Sequence, residues 1–173
     1  PDGKCFDLVD EIKKYHKKYT LNNTNIIIGN GSNEILELIA RTFLTNDSEA
    51  IISKHSFLVY KIICNSMKAK IVEANINKKN NDYFMTVNLD LIKEKITSKT
   101  KVIFIANPSN PTGTIIDTVK LEQFLKKIPK KIIVVIDEAY IEYACYRGHI
   151  SALGLIRDYK NIIITRSFSK IYA

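Results

Sequence analysis

Four short stretches of this sequence carry side chains able to do chemistry, and each follows an apolar run. The sharpest is Thr165-Arg166-Ser167-Phe168-Ser169-Lys170, where Ile162-Ile163-Ile164 reads as a buried strand and small polar residues break its pattern just before a lysine. A lysine delivered to a fixed, desolvated place has a lowered pKa, and its amine becomes a nucleophile able to form a Schiff base. Lysines at strand exits are more often solvated surface residues, so this stretch gains meaning only beside the others. The second is Asp137-Glu138-Ala139-Tyr140, directly after the apolar run Ile132 to Ile136. Two acids in that position serve no packing purpose.

The third stretch, Asn107-Pro108-Ser109-Asn110-Pro111-Thr112-Gly113-Thr114, follows the apolar run Val102 to Ala106. Its prolines remove backbone donors and stiffen the chain past a strand's carboxyl end, where open α/β sheets bind ligands. The fourth, Gly29-Asn30-Gly31-Ser32-Asn33-Glu34, separates a strand-like Asn25 to Ile28 from a helical run marked by Ile35, Leu36, Leu38, Ile39 and Phe43. Free N–H groups at a helix start, with the positive end of its dipole, suit a phosphate. The plainer reading is an ordinary helix with Ser32 as its N-cap.

The elements that must position these stretches alternate along the chain. Phe6 to Tyr19 predicts an amphipathic helix, Ala50 to Ser53 a buried strand, Phe57 to Met67 a helix and Lys70 to Ala74 a strand. A polar surface loop is expected at Asn75 to Asp82, then a helix at Leu89 to Ile96 and another at Asp117 to Lys127, stopped by Pro129. Strands alternating with helices predict an α/β fold, a three-layer α/β/α arrangement around a mostly parallel sheet. Phe57, near a strand exit, could lie flat against a planar ring or fill the core.

At 173 residues the chain forms one domain with no internal repeat or linker, long enough to bury roughly 70% of its unfolded surface. Hydrophobic content of 46% and charged content of 25% are those of a soluble globular protein, with no apolar run of membrane-spanning length. The opening Pro1-Asp2-Gly3-Lys4 has no signal-peptide character and reads as a cut end. Cys5, Cys64 and Cys145 are odd in number and widely separated, which supports neither a disulfide framework nor a zinc site and points to the reducing cytoplasm. The net charge of +8 arises from lysines spread through an Asn- and Ile-rich chain, without any nucleic-acid-binding signature.

A strand ending in Asp-Glu also serves the metal of P-loop ATPases, but neither Gly29 nor Gly31 begins the required G-x-x-x-x-G-K-[ST] run. A metal hydrolase needs clustered ligands, and His16, His55 and His149 sit in no ligand spacing. Taken in order and at their separations, Gly31-Ser32-Asn33-Glu34, the double Asn-Pro loop, Asp137-Glu138-Ala139-Tyr140 and Ser167-Phe168-Ser169-Lys170 resemble the fold-type I, pyridoxal-phosphate (PLP) dependent aminotransferases. Ala106 to Thr114, Val134 to Tyr143 and Thr165 to Tyr172 look most like the histidinol-phosphate aminotransferase branch. The resemblance runs nearly end to end, yet covers only part of that family's chain.

The resemblance implies a role for each matching position. Lys170 is expected to hold PLP as a Schiff base and then shuttle the proton as general base and acid. Asp137 would keep the pyridine nitrogen protonated, so that the ring acts as an electron sink. Asn110 and Tyr140 would hydrogen-bond the phenolic oxygen, and Phe57 would stack on the ring. The phosphate would rest on Ser32 and Asn33 with help from Ser167 and Ser169. The Asn110-Pro111 bond is expected to be cis. The implied reaction is transamination of L-histidinol phosphate with 2-oxoglutarate by a cytoplasmic homodimer. Aromatic-amino-acid aminotransferase and the threonine-phosphate decarboxylase of cobalamin synthesis share the same cofactor cradle and stay open as alternatives, as does a degenerate subunit. By the same likeness, residues 1–173 are part of the large PLP-binding domain of a longer enzyme, whose small C-terminal domain carries the arginine for the substrate carboxylate.

Overall fold

The computed structural model describes residues 3–78 and 84–172. Five runs dominated by isoleucine, valine and alanine form one parallel sheet: β1 (Glu49–Ser53), β2 (Lys70–Ala74), β3 (Thr100–Ala106), β4 (Ile133–Asp137) and β5 (Ile162–Thr165), in the order β2-β1-β3-β4-β5. Branched side chains favour the pleated surface, and continuous apolar runs suit strands covered on both faces.

Because successive strand residues point to opposite faces, the same strands feed two cores. Ile51, Ile103, Ile105, Val134, Ile136 and Ile162 meet Ile92 of α4 (Leu89–Glu94) and Leu121, Phe124 and Leu125 of α5 (Thr118–Leu125). Their neighbours Ala50, Ile52, Val102, Phe104, Ala106 and Val135 meet Leu36, Ile39 and Ala40 of α2 (Gly31–Phe43) and Tyr60, Ile63 and Cys64 of α3 (Leu58–Ser66). The result is the expected three-layer α/β/α fold. Each fully buried isoleucine, leucine or phenylalanine in these layers stabilises it by ~1.5–3 kcal/mol.

Two expectations fail at the amino-terminal side. Asn25 to Ile28 is not a strand: Asn23–Asn25 is a short 3-10 turn, and the extended residues after it join no ladder of the described sheet, leaving Ile27 75% exposed. Three apolar residues can extend without a neighbour to pair with, and pairing, not composition, makes a strand. The helix expected over Phe6 to Tyr19 stops earlier, as α1 (Phe6–Tyr15), followed by a 3-10 turn at Lys17–Tyr19. Of its apolar positions Val9 is buried, whereas Phe6 and Tyr15 are exposed. Residues 79–82 of the expected surface loop lie outside the described residues; beside them Ile76 and Val87 make an antiparallel bridge.

The chain leaves β1 toward β2 on one side and then builds β3, β4 and β5 on the other. From β1 the chain passes to α3 on one face and from β3 to α5 on the other, and such a reversal opens a crevice in sheets of this kind.

Candidate active site

The parallel register sets Ala106, Asp137 and Thr165 at one level on adjacent strands, each at its strand's carboxyl end. There Asp137 is 5% exposed. A carboxylate that deep is costly unless donors surround it, and they do. Thr165 Oγ1 donates to Oδ1 at 2.9 Å, the Ala139 N–H donates to the same oxygen at 3.3 Å, and Tyr60 Oη donates to Oδ2 at 2.8 Å. Burial raises the Asp137 pKa above the usual carboxylate value, while the three donors and the charge of Lys170 pull it down.

Tyr60 comes from α3 and is fully buried. Its ring stacks on Phe104 at 5.1 Å and meets Phe57 edge-on at 5.8 Å. Burial first, then the charge of Asp137, pushes its hydroxyl pKa well up, so it acts as a fixed donor.

The double Asn-Pro loop is held by its own side chains. Asn107 Nδ2 donates to the Ile116 carbonyl at 3.0 Å and its Oδ1 accepts from the Ile116 N–H at 2.8 Å, while the Ser109 N–H donates to the Thr114 carbonyl at 2.9 Å. Both Asn107-Pro108 and Asn110-Pro111 are cis. The loop brings Asn110 into a cleft of about 190 Å³ at the sheet's carboxyl edge.

Across that cleft α2 begins. Gly31 has φ +77°, a left-handed conformation that suits glycine, and admits the chain to the helix. The N-cap is Asn30 rather than Ser32; Ser32 and Asn33 lie inside the first turn. Asn30 donates its own N–H to the Glu34 carboxylate. First-turn N–H groups have no intrahelical acceptor, and Gly31, Ser32 and Asn33 line the cleft.

The loop after β5 closes the remaining side. Ser169 and Lys170 line the cleft, and Lys170 Nζ stands 5.3 Å from the centroid of the Tyr140 ring. Ser167 is set back: its Oγ lies 2.6 Å from Ser169 Oγ and accepts the Ser169 N–H at 3.1 Å. Thus Ser32, Asn33, Phe57, Asn110, Asp137, Tyr140, Ser169 and Lys170 converge on one cleft, and Ser167 supports it from behind. The arrangement offers an acid for a cationic nitrogen, an aromatic wall, an amine and a helix start for an anion. Together these suit a flat ring with a basic nitrogen at one end and a phosphate at the other.

The pattern of the family described as Aminotransferase class I and II matches residues 6–173. The chain belongs to that family. This aminotransferase-family chain is 40% identical over 172 residues to histidinol-phosphate aminotransferase 2 of Hydrogenovibrio crunogenus, covering 99% of the chain and 44% of the relative. It is equally 40% identical to histidinol-phosphate aminotransferase of Pelagibacter ubique, covering 45% of that protein. The chain therefore spans less than half the length of these curated relatives. The solved histidinol-phosphate aminotransferase of Clostridium acetobutylicum superposes with a TM-score of 0.84 at 29% identity, over 100% of this chain and 48% of that one. The enzyme of Sinorhizobium meliloti, solved in complex with pyridoxal-5'-phosphate, shares the fold with a TM-score of 0.85 at 23% identity, over 99% and 44%.

Sequence reading of this aminotransferase-family chain missed Tyr60 and Thr165, which hold Asp137, and Asn107, which clamps the loop. Tyr60 had a readable signal, since position i+3 from Phe57 lies on the same helix face. Glu138 was visible only as an acid of no assigned role. It points to the other face of the sheet, where Arg166 meets it.

Proposed function

We propose that the full-length protein is a PLP-dependent aminotransferase that moves the amino group of L-histidinol phosphate to 2-oxoglutarate. The observation that carries the reading is the convergence of Asp137 and Lys170, 33 residues apart in the chain by their numbers, on one cleft walled by Phe57. The residues present suit the cofactor on chemical grounds. A buried carboxylate raised in pKa by desolvation gains from a cationic nitrogen placed beside it. The first turn of α2 supplies backbone donors for a phosphate. When bound, PLP supplies an electron sink for the negative charge that develops at the substrate carbon.

The chain's own residues do the rest. Lys170 would hold the cofactor aldehyde through Nζ, and its free amine would accept and return the substrate proton as general base and acid. Asp137, fixed by Tyr60 and Thr165, would keep the ring nitrogen protonated. Asn110 and Tyr140 would hydrogen-bond the phenolic oxygen, Phe57 would cover the ring, and Ser32, Asn33 and Ser169 would receive the phosphate; all of them line the cleft, and Ser167 would orient Ser169. The choice of histidinol phosphate rests on the names of the 40% identical relatives. The reading extends to a homodimer in the cytoplasm. Cys64 and Cys145 in no disulfide are consistent with that compartment, and the mass of the full-length protein in solution tests the dimer.

The deciding experiment adds PLP to the full-length protein and follows the visible absorbance of the cofactor bound to lysine. The band is expected to form, to vanish in Lys170→Ala, and to bleach when histidinol phosphate is added. Carbon dioxide released from threonine phosphate would move the assignment to the decarboxylase sibling. A band that no amino donor bleaches would overturn the aminotransferase reading.

A further inference from the structure

On the face of the sheet opposite the cleft, the exits of β4 and β5 are joined a second time. Glu138 is 1% exposed, and every polar atom of its side chain has a partner. Its Oε2 accepts from Arg166 Nη2 at 2.9 Å, Arg166 Nε at 3.2 Å and Ser151 Oγ at 2.7 Å, and its Oε1 accepts from the Ala152 N–H at 2.7 Å. Arg166 Nη2 also donates to Ser151 Oγ at 2.7 Å. Glu142 stands 3.7 Å from Arg166 Nη1, and His16 Nε2 lies 3.4 Å from the same nitrogen.

The pattern has a simple geometry. Residues 137 and 165 are paired in the strand register, and their side chains bond on the cleft side. Residues 138 and 166 follow immediately and, by the alternation of a strand, bond on the far side. Between the two side-chain links the Glu138 N–H donates to the Thr165 carbonyl at 2.8 Å. Two consecutive residue pairs therefore clamp the two strand exits from both faces. One exit ends in Asp137 and the other leads, four residues after Arg166, to Lys170.

We propose that Glu138 and Arg166 are a positioning pair: on the face away from the cleft they set the separation of Asp137 and Lys170 across it. Neither touches the cleft, so they act through the strand exits they join. The inference rests on the cofactor reading above. A buried ion pair is a poor means of gaining stability, since its desolvation cost roughly offsets its attraction. Its retention here is explained by geometry: two guanidinium N–H groups converge on Oε2 while the Ala152 N–H holds Oε1, which restricts both distance and angle.

The test uses the full-length protein loaded with PLP, with Glu138→Gln alone and Glu138→Gln combined with Arg166→Met. The double variant removes both charges of the pair, leaving Glu142 without the cation 3.7 Å away, and the glutamine can still accept from Ala152 and donate to Ser151, so the fold is expected to survive in thermal unfolding. Three quantities are read: PLP affinity, the pH midpoint of the visible band, and kcat against KM. A misplacement of the order of an ångström costs about 10–100-fold in rate, and the double variant is expected to lose kcat and PLP affinity in about that range with KM little changed and the midpoint moved. Glu138→Gln alone, whose one amide oxygen can accept from Arg166 or from Ala152 but not from both, is expected to shift the same quantities in the same direction by less. Should the double variant fail to fold, the single variant decides by itself. Wild-type affinity, midpoint and kcat in a folded variant would make the pair purely structural and overturn the proposal, leaving the cofactor reading intact. No band in the wild-type protein would overturn both.

Discussion

The two ends of the cleft are built in opposite ways. At the acid end, Asp137 is 5% exposed and is gripped by donors from β5, α3 and its own turn, with Tyr60 seated deep in the core. At the amine end, Phe168 is 56% exposed, Ser169 and Lys170 are exposed, and the described hydrogen bonds of the serines are to each other. The difference separates two kinds of constraint. A buried charge must be satisfied by the fold that buries it, so the acid's geometry is fixed by the same layers that stabilise the domain. The lysine loop is held by the strand it leaves and by local bonds, which makes its placement more dependent on what packs over it.

Breaking the acid end should therefore cost both chemistry and stability, and breaking the amine end chemistry alone. Asp137→Asn has the largest expected effect of the substitutions at these two ends short of removing Lys170. With the ring nitrogen no longer held protonated, kcat should fall about 100-fold or more, measured by single-turnover bleaching of the cofactor band, while PLP still binds. Tyr60→Phe leaves one buried carboxylate oxygen without its donor and should destabilise the domain by about 1–3 kcal/mol, read by denaturant unfolding of the protein without PLP. The same variant should raise the Asp137 pKa further, because a hydrogen bond that favours its charged form is gone. Ser169→Ala should leave unfolding unchanged and weaken PLP by about tenfold or less, the loss of one hydrogen bond to a phosphate. An equal stability loss in Ser169→Ala and Tyr60→Phe would erase the contrast between the two ends.

The smallest effect lies away from the cleft. Half-buried His16 has its pKa lowered from 6.5 to about 4, first by burial, then by Arg166 and Lys18. The folded chain thus holds His16 neutral where the unfolded chain would bind a proton. Stability tied to this group is complete above pH ~6.5 and is lost as pH falls toward about 4. His16→Gln should flatten that part of the acid unfolding profile, a slope that pH-stepped thermal melts would reveal.

Much of the fold was legible because buried parallel strands write themselves as unbroken apolar runs, as at Val102 to Ala106 and Ile132 to Ile136. Asn25 to Ile28 carries the same signal and is not a strand, since a ladder needs a neighbour that no local pattern specifies. The cleft's lining was legible for a related reason: each chemical stretch follows an apolar run, and parallel strands present their carboxyl ends together. Its supports were not. Tyr60 and Asp137 are 77 residues apart, and only packing decides that the hydroxyl of one reaches the carboxylate of the other.

The amino-acid order by itself determined which apolar runs can be strands, which loops carry an acid, an amide and an amine, and that these gather at one edge of a parallel sheet. Periodicity and turn chemistry are local, so they survive without coordinates. The tertiary structure alone decided which neighbour each acid takes. Asp137 and Glu138 are adjacent in the chain, yet the sheet sends one into the cleft toward Tyr60 and Thr165 and the other through the opposite face to Arg166. That choice depends on register and on what lies above and below the sheet, which contacts distant in sequence establish only when the layers close.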